Sequence, residues 1–271
     1  MYPRDRVQGV EPDGSQLCLD GVVHGERYEV SVRAGLPSDV GETLTKPLNL
    51  AIYVPDRKPF VRFSGKGYVL PTRGQQGIPV VTVNTNAVAI EVYRVGDRNL
   101  AQTIVGGDFD RQLYSYEIGN LKDKAGQRIY KGTMDVTQKL NEEVTTAFPV
   151  TDTIGALQPG AYAMIARPGH TGTTEESDEE EGGSGNIATQ WFIVSDMGLT
   201  AFSGEDGIHA FVRSLAETKA IASANVRLLA RNNEVLGTGK TDANGYVHFD
   251  AGLAKGDGGA APAIVVAENG T

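Results

Sequence analysis

What most limits the fold of this chain is the shortness of its hydrophobic runs and the two-residue rhythm inside them. RYEVSVRA (Arg27–Ala34) sets Tyr28, Val30 and Val32 against Glu29, Ser31 and Arg33, the alternation of a strand with one covered face. After the polar stretch LPSDVGETLTKP comes LNLAIYV (Leu48–Val54), rich in β-branched and aromatic residues, and Gln16–Leu19 reads as a shorter strand. Three strands do not close a sandwich, so residues 1–57 are expected to be the C-terminal part of an Ig-like β domain.

Residues 58–195 continue with the strand-like FVRF, GYVLP and IPVVTVN, then AVAIEVYRV (Ala87–Val95). In that last run Val88, Ile90, Val92 and Arg94 share one face, and Ala89, Glu91, Tyr93 and Val95 the other. The next stretch breaks the rhythm. Leu100, Ile104, Phe109 and Leu113 fall near helical spacing, and Asp97 is placed as an N-cap. Gly106-Gly107 interrupts the pattern, so a short, broken helix is predicted. Strand patterns resume in QRIYKGTMDV, VTTAFPV, GAYAMIAR and, after an acidic run, ATQWFIVSD.

Residues 196–271 read almost wholly as short strands: LTAFSG, GIHAFVRSL, ANVRLLAR, EVLGTGKTD, GYVHFD and APAIVVAEN. The run from Gly237 to Tyr246 carries a hairpin signal, because Asn244-Gly245 supplies the positive φ of a tight turn. Strand signals recur every ~8–12 residues with turn-formers between them, the pattern of all-β sandwiches. The 34 glycines and 12 prolines fit that pattern. The fold class expected is therefore all-β: consecutive Ig-like sandwiches with one short helix inserted in the middle one. Because the chain stops at ENGT just after a strong strand, it is also expected to be a piece of a longer protein.

Charge and composition exclude more than they assign. Hydrophobic residues make up 40% and charged ones 22%, so a core is expected. The net charge is −9, and six of those negative charges sit in one run, Glu175, Glu176, Asp178, Glu179, Glu180 and Glu181. No basic stripe offsets them, which argues against a nucleic-acid partner. No apolar run approaches the roughly 20 residues of a membrane span. MYPRDRVQGVEPDG lacks the apolar region of a signal peptide. Direct membrane contact from this segment is not expected.

No constellation of catalytic residues emerges. An EF-hand loop spaces its oxygen ligands with an intervening Gly, whereas EESDEEEGGSG sets its acids side by side. A glycosidase pair needs two separate carboxylates on a rigid scaffold. The run is therefore expected to be a poorly ordered loop tip within 169–187, with weak divalent-cation binding as the lesser reading. His24, His170, His209 and His248 show no H-x-H or H-E-x-x-H spacing, and each reads as a surface or strand residue. Gly237-Thr238-Gly239-Lys240-Thr241 lacks the first glycine of a phosphate loop and a helix to follow it. Cys18 has no cysteine to pair with, cannot make a zinc site alone, and is expected to be a small buried apolar residue. No catalytic, cofactor-binding or metal residue is assigned, no cofactor is expected, and the chain is expected not to be an enzyme.

Four segments carry a family likeness: NLAIYVPDRKPFVRFSGKGYVLP (49–71), VNTNAVAIEVYRVGDRNL (83–100), ATQWFIVSDMGLTAF (188–202), and GIHAFVRSL through GYVHF (207–249). In this order they resemble bacterial alpha-2-macroglobulins. The resemblance implies macroglobulin-like β-sandwich domains, 58–195 with a helical insertion and 196–271, from the N-terminal half of a protease-trapping protein of the periplasm or cell envelope. Its implied partners are proteases, met through the full-length protein, and neighbouring domains of the same chain. The family's thioester motif reads Cys-Leu-Glu-Gln. Cys18-Leu19-Asp20-Gly21 lacks the glutamine, so Cys18 does not inherit the reactive role. The alternative function is an Ig-like domain array of a surface adhesin or structural protein.

Overall fold

The computed structural model describes residues 10–13, 16–38, 40–65, 68–70, 77–109, 111–169 and 187–269. The acidic run and His170 lie outside them. Among the described residues the strands predicted from alternation all form, and their pairing is what the sequence did not contain.

Among the described residues of the N-terminal end, β1 (Val10–Asp13) pairs only with β2 (Gln16–Leu19), and β3 (Arg27–Val32) only with β4 (Leu48–Tyr53). Register sets Tyr28 opposite Ile52, Val30 opposite Leu50 and Val32 opposite Leu48. Cys18 is exposed, not buried as expected. A two-stranded ribbon has no second layer to cover a side chain, so its alternation produces faces without producing a core.

The middle of the chain builds two sheets. One has the order β10 (Val144–Pro149), β7 (Gly77–Val83), β5 (Phe60–Phe63), all antiparallel. The other has the order β6 (Tyr68–Leu70), β12 (Ala188–Val194), β11 (Gly160–Gly169), β8 (Ala87–Val95), β9 (Gly126–Asp135). Its β6–β12 edge is parallel and the remaining pairs are antiparallel. Ile78, Val80 and Phe148 from the first sheet meet Val88, Ile90, Val92, Tyr162, Met164 and Phe192 from the second. Tyr162 stacks on Phe192 at 5.1 Å between ring centroids, and its hydroxyl donates to the Gln158 carbonyl. Each large side chain buried there contributes about 1.5–3 kcal/mol.

The helical region differs from the single broken helix expected. α1 (Asp97–Val105) starts from Gly96, which holds the extended N-cap position, so Asp97 is the first helical residue and not the cap. It ends at Gly106, and Gly107 turns the chain at φ +79°. A second helix, α2 (Ser115–Asn120), runs on into a π turn at Leu121–Ala125. A third, α3 (Val150–Ile154), begins where the predicted strand VTTAFPV stops at Pro149. Leu113, Ile118 and Leu121 pack on Tyr93, Val95, Ala163, Ile165 and Trp191. Phe109 lies 5.2 Å from Trp191, ring to ring. The insertion thus covers the outer face of the five-stranded sheet, which explains why β11 reads as a continuous apolar run and not an alternating one.

The C-terminal part forms a second sandwich. β13 (Met197–Gly204), β14 (Gly207–Ser214) and β17 (Tyr246–Asp250) make one sheet; β16 (Val235–Lys240), β15 (Asn225–Ala230) and β18 (Pro262–Glu268) make the other. Ile208, Ala210, Val212, Val226, Leu228, Val247 and Phe249 fill the space between them. The hairpin predicted over Gly237–Tyr246 does not form. β16 pairs with β15 and β17 with β14, so the turn carries the chain from one sheet to the other. Its local chemistry was read correctly: Asp242 Oδ1 accepts from the Asn244 and Tyr246 amides at 2.8 and 2.9 Å. Gly245 sits at φ +74°, and a Cβ there would lie 2.3 Å from the Val212 carbonyl oxygen. A tight turn fixes chain reversal but not which strand receives the next one.

Candidate functional site

Three polar clusters stand out. The first ties the N-terminal ribbon to the middle of the chain. The Asn141 side chain accepts from the Arg57 amide at 2.8 Å and donates to Asp56 Oδ1 at 2.7 Å and the His24 carbonyl at 3.2 Å. Asn84 Nδ2 donates to the Arg57 carbonyl at 2.6 Å, and its Oδ1 accepts from the Asn141 amide at 2.6 Å. Asn84 and Asn141 both take left-handed backbone angles, φ +50° and +63°, which asparagine tolerates best among residues with a side chain. His24 Nδ1 lies 2.8 Å from the Pro55 carbonyl, so this histidine belongs to a structural clasp.

The second cluster centres on Glu91, whose side chain is only 13% exposed. The Tyr93 hydroxyl donates to it, Lys122 Nζ lies at 3.2 Å and Arg167 Nη1 at 3.3 Å. Burial pushes the Glu91 carboxyl up, but the Tyr93 hydroxyl and the two cations outweigh it and hold it below the usual carboxylate range. Burial, with the carboxylate beside it, pushes the Tyr93 phenol well above its ordinary value. The network binds β8 to β11 and to the π turn that carries Lys122. Glu91 thus joins side chains from three separate elements, the arrangement of a structural strut.

The third cluster was not legible in the residue spacing. β14 and β17 pair so that His209 stands directly opposite His248. Both project to the outer face, because Ala210, Val212, Val247 and Phe249 occupy the alternating inner positions. Their rings stack at 4.8 Å, 26° apart. The Gly204–Gly207 hairpin brings Asp206 over them: its Oδ1 lies 3.0 Å from His209 Nε2, and its carbonyl oxygen 3.1 Å from His248 Nε2. His209 Nδ1 lies 2.8 Å from the Tyr246 hydroxyl, and His248 Nδ1 3.8 Å from Asp250 Oδ1. Contact with His209, and the backbone amide of Asp206 itself, hold the Asp206 carboxyl below its usual range. One ligand atom from each of Asp206, His209 and His248 lies within 4.8 Å of the others.

The remaining sequence features stay apart from these clusters. Gly237–Lys240 lies inside β16, paired to β15. Cys18 sits on β2, far along the chain from both histidines of the third cluster. No helix among the described residues is long and apolar enough to cross a membrane.

Two family models match the chain in order: the bacterial alpha-2-macroglobulin MG2 domain over residues 62–177 and the MG3 domain over residues 194–271. An alpha-2-macroglobulin of Xylella fastidiosa (strain 9a5c) is 28% identical over 239 residues, covering 86% of this chain and 14% of the relative. The Escherichia coli K12 alpha-2-macroglobulin is 26% identical over 208 residues, covering 77% of this chain and 12% of the relative. The chain thus spans about a seventh or less of the length of these relatives. Among solved structures, native E. coli alpha-2-macroglobulin spanning domains MG0-NIE-MG1 superposes with a TM-score of 0.61 at 21% identity, covering 92% of this chain and 73% of that one. Salmonella alpha-2-macroglobulin reacted with methylamine gives 0.63 at 20% identity, covering 98% of this chain and 16% of that one. At such identities the superpositions speak for the fold alone. With the two family models in order over most of its length, the chain belongs to the bacterial alpha-2-macroglobulin family.

Proposed function

We propose that this chain is a non-catalytic scaffold segment of a bacterial alpha-2-macroglobulin-like, broad-spectrum protease inhibitor that traps proteases in the periplasm or cell envelope. In this reading, residues 1–57, 58–195 and 196–271 are three successive domains, the first of them the C-terminal part of an Ig-like unit. The carrying observation is the order of the two family matches, MG2 then MG3. A row of small sandwiches, each with its own core, makes an arm whose junctions transmit a rearrangement started elsewhere in the protein. The ordered matches favour this reading over an adhesin array, which would need only generic Ig-like repeats.

The test is protease capture by the full-length protein on native gels. The expected result is a mobility shift with several unrelated proteases; no shift with any of them overturns the proposal. The segment itself is expected to hydrolyse nothing. It is also expected to leave methylamine unincorporated at Cys18, since Cys18-Leu19-Asp20-Gly21 offers no glutamine partner.

A further inference from the structure

We infer that Asp206, His209 and His248 form a binding site for a borderline divalent transition-metal ion of the zinc type, on the outer face of the β14–β17 pair. The three donors reach one point from three backbone segments: the β13–β14 turn, β14 and β17. They are a cross-strand pair and a turn residue, so their convergence is set by register.

Orientation carries the argument furthest. Both imidazoles present the same atom, Nε2, to the same residue, at 3.0 Å from Asp206 Oδ1 and 3.1 Å from the Asp206 carbonyl. Both have an oxygen group beside the opposite nitrogen: the Tyr246 hydroxyl 2.8 Å from His209 Nδ1, and Asp250 Oδ1 3.8 Å from His248 Nδ1. Both Asp206 oxygens can only accept, so each Nε2–H donates to Asp206 in the metal-free form. An ion is bound once the ring proton moves to Nδ1, beside the Tyr246 hydroxyl in one ring and the Asp250 carboxylate in the other, which leaves each Nε2 lone pair to the metal. The strands beneath are anchored by the buried Ala210, Val212, Val247 and Phe249, so the two rings are pre-positioned.

Distances fit with small side-chain movements. Zinc–nitrogen and zinc–oxygen bonds of about 2.0–2.2 Å put neighbouring ligand atoms roughly 3.3 Å apart. The His209–Asp206 separation of 3.0 Å is already in that range. The other separations, at most 4.8 Å, close by small shifts of the imidazole rings and of the Asp206 side chain, which is 71% exposed at the tip of its turn. Two imidazoles with one carboxylate select zinc, copper, nickel or cobalt over calcium and magnesium, which prefer all-oxygen sets. Three protein ligands leave a coordination position for water or for a side chain from another surface.

The experiment uses the tag-free chain, stripped with a chelator and titrated with Zn²⁺ by calorimetry and with Co²⁺ by visible absorption. The expected result is saturation near one ion per chain, with Co²⁺ bands of a low-coordinate nitrogen–oxygen site. His209→Ala and His248→Ala should each weaken Zn²⁺ binding more than about tenfold. Neutralising Glu175, Glu176 and Asp178–Glu181 should leave the binding unchanged, which separates this site from weak association with the acidic run. Unfolding midpoints of the metal-free variants serve as the fold control, and the partial exposure of both histidines favours intact folding. The inference is overturned if no Zn²⁺ binds up to about 100 μM, or if the ion stays bound in the His209→Ala/His248→Ala double variant.

Discussion

The β3–β4 ribbon and the β11–β12 pair are both built of apolar side chains on extended backbone, yet they end in opposite environments. In the ribbon, Leu48, Leu50 and Ile52 stay 42–46% exposed. In β11, all six residues from Ala161 to Ala166 are exposed by 2% or less. The difference lies in what stands above each face. β11 has a three-stranded sheet on one side and the helical insertion on the other, whereas the ribbon faces no second layer among the described residues. Apolar patterning makes a face available; burial, and the stability it brings, needs a partner layer.

Substitutions can break or sharpen that contrast. The largest effect is expected for Phe192→Ala, which empties a site between the two sheets of the middle sandwich and should cost about 3–5 kcal/mol in chemical denaturation. A loss under about 1 kcal/mol would mean the layer is not packed as described. Glu91→Gln comes next, at about 1 kcal/mol near neutral pH, because Lys122 and Arg167 lose their charged partner. The sign follows from the lowered Glu91 carboxyl: its contribution is fully present above the ordinary value of 4.5 and is lost as pH falls through the lower folded value. The variant should therefore show a shallower loss of stability across that acid range than the parent chain. Smallest is Leu50→Lys on β4, expected to change stability by less than about 0.5 kcal/mol while reducing binding of a hydrophobic dye. A loss near that of Phe192→Ala would reveal a covering layer over the ribbon and remove the contrast.

Much of the fold was legible because the sequence signals are local. Alternation in Ala87–Val95 correctly separated Val88, Ile90 and Val92 from Tyr93 and Val95, although both faces prove to be buried. The glycine pair after Val105 correctly marked a break in the helical region. The exposure of Cys18 is not legible in its alternating neighbourhood, which carries no sign that β1 and β2, among the described residues, pair only with each other. The third cluster went unread for a related reason. A β16–β17 hairpin would have set His248 against Gly237–Lys240, and only the true β14–β17 pairing sets it against His209.

By itself, then, the sequence determined where strands begin and end, which side chains share a face, and where the chain must turn, as Asn244-Gly245 does. Each of these depends on contacts between residues a few positions apart. The tertiary structure decided which strands became neighbours, which faces received a second layer, and that two histidines 39 positions apart would stack above one aspartate. Strand pairing is a choice among distant segments with similar local patterns, and it is settled by the burial of whole layers, which no short window of sequence contains.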